Sequence, residues 1–335
     1  MTDGMKILIT GSAGFIGAHC AARLAANDSY EIVGVDNFNA YYDPQLKHSR
    51  TSHVASGARQ ITLDIADADA LKACFDREQP DLVIHLAAQA GVRHSFKAPM
   101  SYARSNLFGQ VSVLEAVRNT SSVKRLIYAS SSSVYSGVPT LPFEEDTTLG
   151  TPRSLYAATK IADEILCDTY SALHNIDMIG LRFFTVYGPW GRPDMAYWTF
   201  AESILAGRPI KLFNYGDVRR DFTYIDDVTA VIERMADETH AAPKTEAQHR
   251  RYNIGNHAPV AVGDMIGMLE GLLGKSANID LEPLPPGDMV ETFASIDRLQ
   301  QDYGFSPSTP LLDGLRAFTD WFVDWRVGAD KQAVS

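Results

Sequence analysis

The chain has 335 residues, 45% of them hydrophobic and 21% charged, and a formal net charge of −11. This is a globular composition, long enough for one large or two modest domains; no apolar run reaches the length of a membrane span, and the acidic balance argues against nonspecific nucleic-acid binding. The three scattered cysteines, Cys20, Cys74 and Cys167, show no metal-ligand spacing, and the N-terminus lacks the basic segment and long apolar stretch of a secretory signal, so a cytoplasmic protein without a metal is expected.

The first predicted element is a short strand, Lys6-Ile-Leu-Ile-Thr10, followed by the loop Gly11-Ser-Ala-Gly14-Phe15-Ile16-Gly17 and a helical pattern through Ala21, Ala22, Leu24 and Ala25. Strand, glycine loop and helix form the context of a dinucleotide fingerprint. The glycines permit a tight turn, close approach of a pyrophosphate and a helix–strand contact, and the helix N-terminus favours phosphate charge. A plain structural turn also explains many glycine triplets, so the second strand matters. Glu31-Ile-Val-Gly-Val-Asp36 ends in a carboxylate suited to the adenosine ribose hydroxyls. Asn37 and Phe38 carry no positive charge to neutralise a 2′-phosphate, which favours NAD over NADP. Asn37 and Asn39 join the expected cofactor-binding set.

Three further strands are expected. Gln60 to Ile65 ends at Asp64 and Ile65, where an adenine edge can be held. Leu82 to Ala88 ends in Leu86, Ala87 and Ala88, small enough at its tip for a cofactor to approach. Arg125 to Ala129 opens onto the run Ser130-Ser131-Ser132-Ser133. Strands alternating with helices predict an α/β fold: a Rossmann-type, doubly wound parallel sheet with ligands beyond the carboxyl ends of its strands.

The next helix carries Tyr156 and Lys160 in Ser154-Leu-Tyr-Ala-Ala-Thr-Lys160. A spacing of four puts both side chains on one face. A normal tyrosine, with a pKa of about 10, is a weak acid, and a nearby cation favours its phenolate. A bare Tyr-x-x-x-Lys also arises by chance; the glycine loop and Asp36 give this one a hydride-transfer context. After Gly188 the alternation decays and Pro and aromatic residues increase. A smaller mixed α/β substrate-binding lobe is expected there. The reading divides the chain into 1–186 plus about 226–258 for NAD, 187–225 plus about 259–327 for the lobe, and a frayed tail at 328–335. Residues 237–251 read as an exposed connector.

These pieces, in this order, resemble the extended short-chain dehydrogenase/reductase family: the glycine loop, Asp36, Asp64-Ile65, His85-Leu-Ala-Ala88, Asn106-Leu-Phe-Gly109, Ser131, and Tyr156 with Lys160. The resemblance implies a Ser/Thr–Tyr–Lys catalytic group with NAD, and adds Asn106 to the cofactor site. The family's catalytic serine or threonine lies three residues before a Val-Tyr pair, here Val134-Tyr135, which points to Ser131; Ser132 and Ser133 compete for the assignment. Within the family, the UDP-glucuronate 4-epimerases are most similar, through Ala88-Gln-Ala-Gly-Val-Arg93, Ser130 to Tyr135, Leu181 to Met195 and Arg220 to Asp227. The likeness covers roughly residues 5 to 325. His94 and Ser136 depart from the usual aromatic and glycine.

The resemblance implies a redox-neutral reaction on a UDP-uronic acid. Tyr156 would take the 4-hydroxyl proton, and Ser131 would donate to the developing ketone. Lys160 would hold the nicotinamide ribose. The 4-keto sugar is a β-keto acid, so its carboxylate must be held against loss of carbon dioxide. Arg192, with Thr185 beside it, is the expected grip. Arg93 is a candidate for the diphosphate or the carboxylate, Phe213 for the uracil or simply core, Arg220 for the diphosphate and Asp288 for the UDP ribose. Dehydratases of the family carry Asp-Glu where Ser132 and Ser133 stand, which argues against elimination. The helices bearing Tyr156 and Asn106 imply a homodimer. The alternatives are a 4-epimerase of another UDP-sugar, a UDP-glucuronate decarboxylase, and a silent NAD- or UDP-sugar-binding sensor.

Overall fold

The computed structural model describes residues 4–237, 249–284 and 289–333, the final stretch 327–333 as backbone only. Seven parallel strands form its main sheet: β1 (Met5–Thr10), β2 (Tyr30–Asp36), β3 (Arg59–Thr62), β4 (Leu82–His85), β5 (Arg125–Ser131), β6 (Asp177–Phe183) and β10 (His249–Ile254). Their order is β10-β6-β5-β4-β1-β2-β3. The sheet turns from one direction of growth to the other between β1 and β4, the crevice where such sheets bind ligands.

Both faces are covered. Along β1, Ile7 and Ile9 pack with the helix Phe15–Ala25 and with Val228, Val231 and Ile232 of the helix Ile225–Ala236. Leu8, between them, points the other way, into a cluster with Leu71, Phe75, Val113, Leu114 and Cys167. The period of two along the strand thus sends alternate side chains into two dry layers, which is why β1 reads as an unbroken apolar run.

A smaller sheet is built around β9 (Arg219–Tyr224). It pairs with β7 (Thr185–Tyr187), β11 (Pro259–Ala261) and β13 (Glu291–Thr292), while β8 (Pro209–Phe213) pairs with β12 (Asn278–Glu282). Tyr187, Tyr197, Trp198, Leu212, Phe222 and Phe318 form the core of this part.

Two local expectations are corrected. Residues 249–251 of the expected connector belong to β10, paired with Met178 to Gly180 of β6. Their polar side chains suit an edge strand because acids meet them: His249 Nδ1 lies 2.6 Å from Asp168, and Arg250 lies 2.6 Å from Asp177. The expected tail at residue 328 is instead the end of a helix, Leu311–Ala333. Ala329, Lys331, Gln332 and Ala333 are good helix formers that prolong a helix anchored upstream by Leu315, Phe318 and Phe322.

A buried ion pair locks the sheet to the helix Leu155–His174. Arg182 of β6 makes a two-pronged contact with Glu164, Nε to Oε1 at 2.8 Å and Nη2 to Oε2 at 2.7 Å. Its Nη1 donates to the Tyr135 hydroxyl and the Glu145 carbonyl, and Ser130 donates to Glu164. Arg182→Met should lower unfolding free energy by about 3–5 kcal/mol in urea titrations, because Glu164 would lose its two-pronged cation and keep a buried charge with only the Ser130 hydroxyl and the more distant Arg251 beside it.

Candidate active site

The carboxyl ends of β1, β2, β4, β5 and β6 open onto one cleft of about 670 Å³. Parallel strands deliver their ends to one edge of the sheet, so residues far apart in sequence meet there. Gly11, Gly14, Phe15, Ile16, Gly17, Asp36, Asn37, Asn39, Asp64, Ile65, Leu86, Ala87 and Ala88 all line it, as the sequence suggests.

The glycine loop is tight enough to require its glycines. Gly11 has φ +75°, and a Cβ there would lie 2.7 Å from the Ala87 nitrogen. At Gly17 a Cβ would lie 2.1 Å from the Gly11 carbonyl oxygen. The loop hangs on β2 through the Gly11 N–H, which donates to the Val35 carbonyl at 2.7 Å. Asp36, at the end of β2, is nearly buried; it accepts from the amides of Phe38 at 2.7 Å and Ala13 at 3.2 Å. A backbone cradle at a helix N-terminus, closed by a carboxylate at the next strand end, fits the pyrophosphate and ribose of NAD. Gly17→Ala should lower stability by about 1–3 kcal/mol and strip NAD from the purified protein, read as released dinucleotide by chromatography after denaturation.

Tyr156 and Lys160 project from the first turns of the helix Leu155–His174 into the cleft. Ser154 caps that helix, its hydroxyl accepting from the Ala157 amide at 3.1 Å. The Lys160 ammonium donates to the Ala129 carbonyl at 2.9 Å and to Asp163 Oδ2 at 3.0 Å. Burial alone would lower this ammonium; Asp163 and Tyr156 outweigh it and leave Lys160 above its ordinary value. Burial pushes Asp163 up to about 6 against the pull of Lys160. Burial, with help from Lys160, drops His85 to about 3, so its ring is neutral at pH 7. That ring holds the Thr10 hydroxyl at 2.6 Å and so joins the ends of β1 and β4.

The serine run divides. Ser131 and Ser132 line the cleft, with Ser131 Oγ accepting the Ser133 amide at 3.2 Å. Ser133 turns away from the lining, and its buried hydroxyl has no hydrogen-bond partner. Ser130 lines the wall, but its hydroxyl is committed to Glu164 at 2.6 Å.

Asn106 sits differently from its expected place. It is buried behind the cleft wall in the π-helical turn Ala103–Phe108. Its amide nitrogen donates to the Gln89 carbonyl and the Thr159 hydroxyl, and its oxygen accepts the Gln89 amide at 2.8 Å. With both ends occupied, it braces the cofactor loop against the tyrosine helix.

Thr185, Arg93 and Arg192 also line the cleft. Arg192 is about a quarter exposed, its side chain 24% accessible. It grips Asp194 with two prongs, Nε to Oδ1 at 3.0 Å and Nη2 to Oδ2 at 2.5 Å. The Tyr41 hydroxyl donates to the same carboxylate at 2.9 Å. Arg192 and Tyr156 line the same cleft. Arg93 lies over the Phe213 ring, 5.8 Å from its centroid, and Phe213 itself stays outside the lining. Arg220 also lies outside it, with Nη1 bound to the Arg219 carbonyl at 2.8 Å. Asp288 lies outside the described residues.

Sequence reasoning passed over Tyr41, Lys47, His94 as a lining group, and Asp194. Lys47 is buried, 3.7 Å from Asp36 and 3.1 Å from Asn39 Oδ1. Of these, Asp194 had a visible signal: an acid two residues after an arginine in a proline-flanked loop.

Comparison with known proteins places the chain. Residues 7–255 match the NAD dependent epimerase/dehydratase family. Protein CapI of Staphylococcus aureus is 42% identical over 96% of this chain and 99% of its own length. UDP-glucuronate 4-epimerase 3 of Arabidopsis thaliana is 42% identical over 98% of this chain and 79% of that protein. The crystal structure of UDP-glucuronic acid 4-epimerase from Bacillus cereus, in complex with UDP-glucuronic acid and NAD, has a TM-score of 0.87 at 35% identity, covering 96% of this chain and 100% of that one. With its Rossmann-type sheet and its glycine cradle, this chain belongs to the NAD dependent epimerase/dehydratase family.

Proposed function

We propose that the protein is an NAD-dependent isomerase that interconverts UDP-glucuronate and UDP-galacturonate at carbon 4. The observation that carries this reading is a single cleft lined by the glycine cradle, Tyr156, Lys160 and Arg192. When bound, NAD supplies the acceptor for the carbon 4 hydride and its donor to the opposite face of the sugar.

Tyr156 Oη takes the proton of the 4-hydroxyl as the ketone forms, and returns it at the end. Ser131, with Ser132 beside it, donates to the developing ketone oxygen. Two of the three Lys160 protons are committed to Ala129 and Asp163, which leaves the third for the cleft. Arg192 and Thr185 hold the uronic carboxylate. The bond from carbon 5 to that carboxylate then stays out of line with the ketone π system, and carbon dioxide is retained. The positions that would carry elimination acids hold Ser132 and Ser133. Arg93, Phe213 and Arg220 are assigned to the nucleotide diphosphate end.

The division of labour follows the chain: residues 1–186 with about 226–258 serve the cofactor, and 187–225 with about 259–327 serve the sugar nucleotide. β10 beside β6 supports the first half of that assignment. Among the described residues no helix is long and apolar enough to cross a membrane; with three free cysteines, we assign a cytoplasmic site of action. Exposed Phe108 and Ile165, near and on the tyrosine helix, support a homodimer, which light scattering on the purified protein tests directly; a monomeric mass would end that assignment.

The test of function is incubation with UDP-glucuronate, followed by NMR of the anomeric protons. UDP-galacturonate at equilibrium is the expected product. A UDP-pentose with carbon dioxide would make the protein a decarboxylase, and tight NAD binding without turnover would make it a sensor.

A further inference from the structure

The helix Pro44–His53 is polar in sequence, yet it sends two cations inward, Lys47 and Arg50. Arg50 is fully enclosed, with 0% of its surface accessible. Its donors end on neutral oxygens. Nε donates to the Trp190 carbonyl at 2.8 Å and Nη2 to the Gly191 carbonyl at 2.6 Å. Nη1 donates to the Tyr42 hydroxyl at 2.6 Å and the Ala13 carbonyl at 3.3 Å.

Those carbonyls belong to two different loops. Ala13 lies inside the glycine cradle, and Trp190 and Gly191 directly precede Arg192. The second loop is held against its own preferences. Trp190 has φ +59°, in the left-handed region that a tryptophan rarely adopts. Gly191 admits no side chain, since a Cβ would lie 1.9 Å from the Tyr197 hydroxyl. His53, from the same helix as Arg50, stacks on Trp190 at 5.6 Å. The Arg192 side chain, for its part, is steadied by Asp194, only two residues away, whose carboxylate also accepts from the Tyr41 hydroxyl. A buried cation is expensive to keep. Here its planar fork serves two consecutive carbonyls of one loop and a third of the other, a task for which a lysine has the wrong shape.

We propose that Arg50 is a positioning residue. It fastens the loop of Arg192 to the glycine cradle, and so sets where the substrate's carboxylate is held relative to the bound dinucleotide. The proposal rests on the reading of the substrate as a UDP-uronic acid. When that register loosens, the carboxylate of the 4-keto sugar turns into line with the ketone. The bond between carbons 5 and 6 then breaks, carbon dioxide leaves, the electron pair forms the enolate at carbons 4 and 5, and a proton from water adds at carbon 5. Arg50 thereby protects the partition between epimer and decarboxylated sugar.

The experiment compares the full-length, NAD-loaded parent with Arg50→Lys, using UDP-glucuronate labelled with ¹³C at carbon 6. The expected result is parental NAD content, a KM raised about ten-fold or more with a smaller change in kcat, and several-fold more labelled carbon dioxide per epimer formed. A parental KM and partition in the folded, NAD-loaded variant would overturn the proposal. So would a raised KM accompanied by parallel NAD loss and no extra carbon dioxide, the mark of a merely structural role. Should Arg50→Lys not accumulate as folded protein, Tyr42→Phe is read the same way, since it removes the hydroxyl that steadies Nη1; an unchanged partition there overturns the proposal as well. If the parent itself does not turn over UDP-glucuronate, the functional reading fails separately. Hydrogen exchange then decides about Arg50: the amides of Trp190, Gly191, Arg192 and Asp194 should exchange faster in Arg50→Lys, and equal rates would reject the tether.

Discussion

Tyr156→Phe is expected to lower kcat for UDP-glucuronate by about 10²–10⁴-fold, the usual worth of a positioned acid–base group, with bound NAD and KM close to parental. The substitution removes one oxygen and leaves the ring. That ring meets Tyr102 edge-on, with centroids 6.1 Å apart, so the wall of the cleft keeps its shape. The Lys160 ammonium also stays where it is, because the Ala129 carbonyl and Asp163 hold it. Tyr102 is no substitute as a base. Its hydroxyl faces the carbonyls of Ala90 and Gly91, and burial, followed by the neighbouring Tyr41 and Tyr156, holds it well above the ordinary tyrosine range. The measurement is a kcat and KM pair from NMR time courses, with dinucleotide content determined on the same sample. Residual activity above one tenth of the parent would move the proton to another group, with Ser131 and Ser132 the first to examine.

The parts of this site that sequence reveals are those whose chemistry is local. A glycine loop between a strand and a helix carries its own explanation, and so does an acid at the next strand end. Tyr156 and Lys160 are readable because four residues make one helical turn. Parallel-sheet topology then brings these pieces to one edge. Residues supplied by tertiary packing were invisible. The helix Pro44–His53 has no apolar stripe to say which way it faces, so nothing local marks Lys47 and Arg50 as buried. Tyr41 meets Asp194 across 153 positions of chain. Asn106 shows the opposite limit: its motif was recognised, but a motif does not say which amide atoms are already occupied. Among the serines, Ser131 ends β5 and Ser133 sits in the short 3₁₀ turn that follows, Ser132–Tyr135. That change of backbone direction turns the last hydroxyl out of the cleft, and composition alone cannot foretell it.

Arg192→Ala should raise KM for UDP-glucuronate by about 10–100-fold, from the 1.5–3 kcal/mol typical of a hydrogen bond to a charged group, and should release carbon dioxide where the parent forms epimer. Two effects act together. The substrate carboxylate loses a planar two-donor partner. Asp194 loses the same partner and keeps only the Tyr41 hydroxyl and its local backbone. In the parent, burial pushes Asp194 up, but Arg192 and Tyr41 outweigh it and hold the carboxyl below its ordinary range. Without the guanidinium, two carboxylates face one another across a partly dry cleft, so repulsion adds to the lost attraction. NAD content should not change, since the glycine cradle and Asp36 lie on other strands and make no hydrogen bond to Arg192. Dinucleotide content, KM and labelled carbon dioxide therefore separate this role from a general loosening of the fold. Equal activity and partition in mutant and parent would remove Arg192 from the carboxylate and return the question of substrate to Arg93.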